Sequence, residues 1–271
     1  MTFVMMILAS MLAAFFGSLV GLGGGMILVP ILIILHNNVP GFEWATTQTI
    51  VGIALVAMIF TALSSLRAYM RIKTVDYKTG AILLTGTIPG SILGTWLNGT
   101  LDTTNFSLYF GIFLLLMFLL LFIDRDKLAN KREPKANEKT RVFEVKGQTY
   151  TYHVSLLAGF FVSFVIGTLS SLFGIGGGII AVPAMIILFN MPVQIATATS
   201  MFMVFFTSVF STTAHAISGN ILWEYTIFFI VGAILGGTLG SKVNQILKGR
   251  TLEWILKILI IIMAVQLIIG D

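Results

Sequence analysis

Gly21-Leu22-Gly23-Gly24-Gly25-Met26-Ile27-Leu28-Val29-Pro30 and Gly174-Ile175-Gly176-Gly177-Gly178-Ile179-Ile180-Ala181-Val182-Pro183 are two copies of one pattern, G-[LI]-G-G-G-x-x-x-V-P. The copies keep a constant separation of 153 residues, from Gly23 and Gly176 through to Pro30 and Pro183. Each lies inside an apolar run, where every glycine costs a helix about 1 kcal/mol relative to alanine. A break repeated at matching positions of two halves is the pattern by which membrane transporters interrupt helices to build a binding site.

The surrounding composition points the same way. The chain is 57% hydrophobic and only 10% charged, with a mean hydropathy of +0.99. Soluble domains carry about 25% charged residues, so a soluble globular enzyme is excluded and an integral membrane protein is expected. Apolar segments run over 3–20, 26–36, 45–66, 79–98, 104–123, 154–172, 179–190, 194–218, 225–241 and 251–269. Most reach the ~17–25 residues a membrane-crossing helix needs; 26–36 and 179–190 fall short. With no cysteine there is neither a disulfide nor a thiol ligand. No cleavable signal peptide is expected, because a basic n-region is missing and the first basic residue is Arg67.

The net charge of +5 does not imply a nucleic-acid partner. All 16 Lys and Arg fall in three clusters beside apolar segments: 67–78, the polar stretch 124–153, and 242–257. Loops at 36–44, 98–104, 190–193 and 218–224 carry none. Lys and Arg mark the cytoplasmic side of a membrane protein, so the clusters are read as inside. In the first half the loop at 67–78 is basic and that at 98–104 bare; in the second, 218–224 is bare and 242–250 basic. Similar segments with opposite charge bias imply two inverted-topology repeats, each crossing an odd net number of times. Each repeat is then a glycine-broken, re-entrant or hairpin pair of helices plus three transmembrane helices, with both termini outside. The expected organisation is membrane repeat 1 over 1–123, a cytoplasmic polar linker over 124–153, and membrane repeat 2 over 154–271, an all-α fold in the plasma membrane. Within the linker, 141–152 suggests a small β-hairpin turning near Lys146-Gly147.

Further matches join the halves. Ala45-Thr46-Thr47-Gln48-Thr49 aligns with Ala196-Thr197-Ala198-Thr199-Ser200 at an offset of 151. Thr61, Ser64 and Ser65 align with Ser208, Ser211 and Thr212 at 147, and Gly86, Gly90 and Gly94 with Gly232, Gly236 and Gly240 at 146. Glycines four apart form one face of a helix and are read as packing surfaces.

The paired glycine motifs, the threonine-rich segment after each and the duplicated small membrane body resemble the TauE/SafE family, the sulfite exporters or 4-toluenesulfonate uptake permeases. The resemblance covers nearly the whole chain except the linker. It implies a multi-pass plasma-membrane transporter of sulfite or small organosulfonates such as sulfoacetate, with no enzymatic activity.

The residues themselves suggest how an anion is held. A helix that starts just after Gly25 or Gly178 presents free amide N–H groups and the positive end of its dipole. Glycine lets an oxyanion approach that backbone closely. Gly23, Gly24, Gly25, Gly176, Gly177 and Gly178 are therefore candidate substrate contacts, weighed against tight turns and helix packing. Gln48, Thr49, Thr199 and Ser200 offer hydroxyl and amide donors nearby, or helix-start caps. His215 offers an anion contact or proton relay, or a structural role near a helix end. All 11 Asp and Glu lie in loops or near segment ends, so neither a buried carboxylate site for a driving cation nor a metal site is expected. No cofactor is implied: the glycine runs lack the G-K-[ST] ending of a nucleotide loop. The leading expectation is a secondary transporter whose small anionic substrate is exchanged across the bilayer by alternating access. An anion channel, a membrane enzyme and a scaffold stand as alternatives.

Overall fold

The computed structural model describes residues 2–101, 103–120, 138–145, 148–247 and 249–269. Among them lie ten helices and one strand pair. The order is α1 (Thr2–Val20), α2 (Gly25–Asn38), α3 (Thr47–Arg71), α4 (Tyr77–Asn98), α5 (Thr103–Leu120), β1 (Glu138–Val145) and β2 (Gln148–Ser155). It continues with α6 (Leu156–Phe173), α7 (Gly178–Phe189), α8 (Val193–Ile217), α9 (Trp223–Asn244) and α10 (Gly249–Ile269). Each of the ten apolar segments becomes one helix. Six of them, α1, α3, α4, α6, α8 and α9, are long and apolar enough to cross a membrane. The chain is a mostly helical, multi-pass membrane protein.

Local chemistry sets the boundaries. Asp76 caps α4, its Oδ1 accepting from the amides of Lys78 at 3.0 Å and Thr79 at 3.2 Å. Ser155 caps α6 through the Ala158 amide. α2 and α7 start instead at glycines with no side-chain cap. Their 14 and 12 residues span only about 21 and 18 Å at ~1.5 Å per residue. Pro30 and Pro183 lie inside them and take away the N–H that the Met26 and Ile179 carbonyls would otherwise receive.

The closest helix pairs are α1 with α9 and α4 with α6, and glycine explains both. A Cβ on Gly86, Gly90 or Gly94 would overlap the carbonyl oxygens of Phe160, Phe164 and Thr168 on α6. A Cβ on Gly232, Gly236 or Gly240 would overlap those of Ile7, Met11 and Phe15 on α1. The two interfaces use the same positions with the halves exchanged: 146 residues apart on the glycine helix and 153 on its partner. α3 and α8 pack together between these pairs, and α5 lies against α10.

The strands pair antiparallel, with Arg141 opposite Tyr152 and Phe143 opposite Tyr150. Opposed residues share a face. On that face Tyr152 and Val154 are fully buried against Leu83, Met185 and Phe189, while Val142 on the other face is exposed. The hairpin is thus docked on the helical body; its turn at Lys146 and Gly147 lies outside the described residues.

The loops sort by charge. At one end Trp44 stacks on Tyr225 with ring centroids 4.4 Å apart, and Gln48 Nε2 donates to the Leu101 carbonyl at 3.1 Å. The three loops joined there, 36–44, 98–104 and 218–224, carry no Lys or Arg; the fourth bare loop, 190–193, lies at the other end. At the other end Asp76 meets Tyr152, Met191 packs in the cluster around Tyr152, and Tyr69 and Asn244 meet the end of α1.

Candidate functional site

Both glycine runs turn the chain by the same backbone route. Gly21, Gly23 and Gly24 have φ of 84°, 87° and 93°; Gly174, Gly176 and Gly177 have 69°, 69° and 75°. This left-handed region is strained for any residue with a Cβ, which accounts for three of the glycines in each G-x-G-G-G. The preceding helix is closed by a five-residue backbone bond, Leu22 N to Gly17 O at 2.6 Å and Ile175 N to Ser170 O at 3.1 Å.

The two breaks meet. A Cβ on Gly25 would overlap the Gly174 carbonyl oxygen, and one on Gly178 would stand 2.6 Å from the Gly21 carbonyl oxygen. Again the pairs are the same with the halves exchanged, each partner displaced by 153 residues. The fourth turn position of each motif thus needs glycine for a different reason, direct backbone contact with the other motif. Two apolar side chains fill the junction. Met58 Sδ lies 3.2 Å from the Cβ position of Gly23 and 2.5 Å from that of Gly176. Val204 Cγ1 lies 2.7 Å from the first and 3.2 Å from the second. Every residue from Gly21 to Pro30 and from Phe173 to Ile179 is buried, and the crevice beside the first break, bounded by Ser10, Gly23, Gly24, Met58 and Thr61 among others, has no room for a water molecule.

The first-turn amides of α2 and α7 follow Gly24 and Gly177, neither of which supplies a side-chain acceptor. Gly23, Gly24, Gly25 and Gly176, Gly177, Gly178 are therefore brought together at one buried locus. Ser200 joins them: its Oγ donates to the Gly21 carbonyl, or to that of Thr197, each at 2.7 Å. The other candidates lie elsewhere. Thr199 Oγ1 accepts from the Asp76 amide at 3.0 Å, toward the docked hairpin. Thr49 Oγ1 bonds the Trp44 and Thr46 carbonyls in the first turn of α3, and Gln48 holds the Leu101 carbonyl; both sit at the opposite end of the molecule from Thr199.

His215 is fully buried, its Nε2 3.2 Å from the Ser171 carbonyl oxygen. A carbonyl only accepts, so this contact places the ring proton on Nε2. In the other half Tyr69 OH donates to the Ser18 carbonyl at 3.1 Å. Asn98 Nδ2 donates to Leu172 O at 2.9 Å and Asn244 Nδ2 to Leu19 O at 2.6 Å. Ser65 Oγ donates to Ser18 Oγ at 2.6 Å, and Ser171 and Ser211 hydroxyls bond one another. Each pair repeats with offsets of 146 and 153, so the residue in the place of His215 is Tyr69, and both tie down the last turn of a helix that enters a glycine break.

That register corrects the hydroxyl alignment. Ser65 corresponds to Ser211, an offset of 146, whereas sequence matching of Ser64 and Ser65 to Ser211 and Thr212 used 147. The slip hid Met58 and Val204, which are 146 apart and plug the junction together. The glycines of α4 and α9 already carried this offset.

Known proteins resemble this chain over nearly its whole length. Residues 6–267 match the family described as Sulfite exporter TauE/SafE. The chain is 39% identical over 268 residues to the probable membrane transporter protein YunE of Bacillus subtilis, covering 99% of this chain and 98% of that one. It is 25% identical to YjnA of the same organism, covering 95% and 98%, and 28% identical to a probable membrane transporter protein of Haemophilus influenzae, covering 89% and 84%. No solved structure matches the chain.

Proposed function

Because the chain belongs to the TauE/SafE sulfite exporter family, a family of membrane transporters and not of enzymes, we propose that it is a secondary transporter of small sulfur oxyanions, sulfite or organosulfonates such as sulfoacetate. The single observation that carries the mechanism is the meeting of the two glycine breaks, Gly25 against Gly174 and Gly178 against Gly21. Two helix starts with uncapped amides at one buried locus suit an anion that must be held without a full counter-charge. Irregular backbone at membrane depth is tolerated only where protein or a cavity satisfies it, and the facing breaks satisfy that condition.

In this reading the two halves are inverted repeats, supported by the exchanged contacts of α1 with α9 and α4 with α6. The basic end, with the hairpin, is cytoplasmic, and both termini are outside. With Met58 and Val204 seated between the breaks, the arrangement is occluded. Relative movement of the two broken hairpins withdraws these side chains, and the anion takes the vacated space against the amides of Gly24–Met26 and Gly177–Ile179, with the Ser200 hydroxyl beside them. Alternating access follows when the hairpins part first toward one face and then toward the other.

Flux of sulfite and of sulfoacetate into sealed vesicles containing the purified protein tests this. Saturable flux with counterflow of labelled against unlabelled anion is expected, and unitary conductance would identify a channel instead. Gly24→Val and Gly177→Val place a side chain at φ of 93° and 75°, within 2.8 Å of the Ala13 carbonyl oxygen and 2.7 Å of Ile166 respectively. Both should abolish flux; unchanged flux in the pair, with the proteins inserted, removes the breaks from the mechanism.

A further inference from the structure

A cavity of about 350 Å³ lies between the docked hairpin and the start of α4, and none of the motif glycines lines it. Its lining includes Lys78 and Arg141, the aromatic residues Tyr77, Phe143 and Tyr152, and the Asp76 carboxylate. The charge within it is unbalanced. Asp76 is committed elsewhere: Oδ1 receives the Lys78 and Thr79 amides, and Oδ2 receives the hydroxyls of Thr79 and Tyr152, the latter at 2.5 Å. Burial, and then the bond to Asp76, push the Tyr152 phenol above its ordinary pKa, so it remains the donor in that contact. Arg141 stands opposite Tyr152 on the inner face of the hairpin. Its Nε is buried and has no hydrogen-bond partner among the described residues.

An arginine nitrogen left orphaned inside a wall is costly, and a charge-assisted bond to an oxyanion is the strong way to satisfy it. The helix start does not itself make this site, since the first amides of α4 are already taken by Asp76. What remains is a guanidinium with an open donor, a neighbouring ammonium, and aromatic and aliphatic walls beside them.

We propose that this cavity is a second anion site, distinct from the transport locus, that takes a phosphate-, sulfate- or sulfonate-type oxyanion between Arg141 and Lys78. The oxyanion forms charge-assisted bonds with the Arg141 guanidinium, Nε included, and with Lys78, while the Phe143 and Tyr77 rings cover any organic substituent. Its cytoplasmic placement rests on the orientation proposed above; its existence does not. The same headgroup chemistry is offered by a free anion and by an anionic phospholipid.

The absence of native cysteine allows a reporter near this site alone. Val142→Cys, exposed on the outer face of β1, carries an environment-sensitive fluorophore in the full-length protein. It is titrated with inorganic phosphate and sulfate in detergent, and separately compared in nanodiscs of phosphatidylcholine with and without phosphatidylglycerol. A saturating response to free anion, or a shift that needs phosphatidylglycerol, supports the site and names the source. Arg141→Gln should raise half-saturation about tenfold or more, or remove the lipid-dependent shift. Lys78→Gln, on a different element, should weaken it in the same direction even if Arg141→Gln loosens the hairpin. Responses that do not saturate, or that both variants leave unchanged, overturn the proposal. Vesicle flux in the same variants keeps the two readings apart: loss of this site leaves saturable transport standing, and loss of transport leaves the reporter titration standing.

Discussion

At the scale of single residues, the decisive positions are those where a polar group meets an otherwise sealed carbonyl. Ser200 does this for Gly21. Ser200→Ala should lower stability in detergent by about 1–2 kcal/mol, read from thermal unfolding. Thr213→Ala should change it by less than ~0.5 kcal/mol, because Thr213 is exposed and its hydroxyl donates to the Val209 carbonyl of its own helix. The opposite ranking would remove Ser200 from the support of the first break. The glycine motifs were legible from the sequence because only glycine tolerates their backbone, and that requirement leaves a residue-type signature. Met58 and Val204 left none: an apolar side chain in an apolar helix looks the same whether it plugs a junction or faces lipid. His215 drew attention for its chemistry, yet its counterpart is Tyr69, and what the pair shares is the reach to a carbonyl at a helix end.

At the scale of elements, the ten helices followed from apolar runs punctuated by polar loops, and the hairpin from alternation after a charged stretch. Which helices would touch was less accessible, because glycine ladders announce close packing without naming a partner. The structure supplies the partners and separates two kinds of helical glycine. Gly90 and Gly236 have a carbonyl oxygen of the facing helix where a Cβ would sit, whereas the nearest atom to that of Gly159 is 3.5 Å away. Gly90→Ala and Gly236→Ala should each destabilise by about 1–3 kcal/mol as overpacking forces the helices apart. Gly159→Ala should be neutral or stabilise by up to about 1 kcal/mol, since it removes backbone entropy without a clash. Unfolding midpoints of the three variants decide the matter; equal shifts would mean that the ladders are not close-packed.

At the scale of the whole molecule, the charge map and the contact map agree for every bare loop but one: 36–44, 98–104 and 218–224, without Lys or Arg, gather at one end, and the basic loops that the structure describes gather at the other together with the uncharged 190–193. Introduced cysteines turn this into a measurement. Asn37→Cys should react with an impermeant reagent only from outside intact cells, and Val142→Cys only after the inner face is exposed. Labelling of both from the same side would refute the orientation. The exchanged packing has one more consequence, which concerns time. α1 is made first, yet the helix it fits, α9, begins more than 200 residues later, at Trp223; α4 likewise waits for α6. Until the second half emerges, the ladder faces of the first have nothing to close on, and distant pairings of this kind are slow to form. The earliest helices must therefore stay in the lipid as unassembled guests, and assembly is completed only when the last third of the chain has been synthesised.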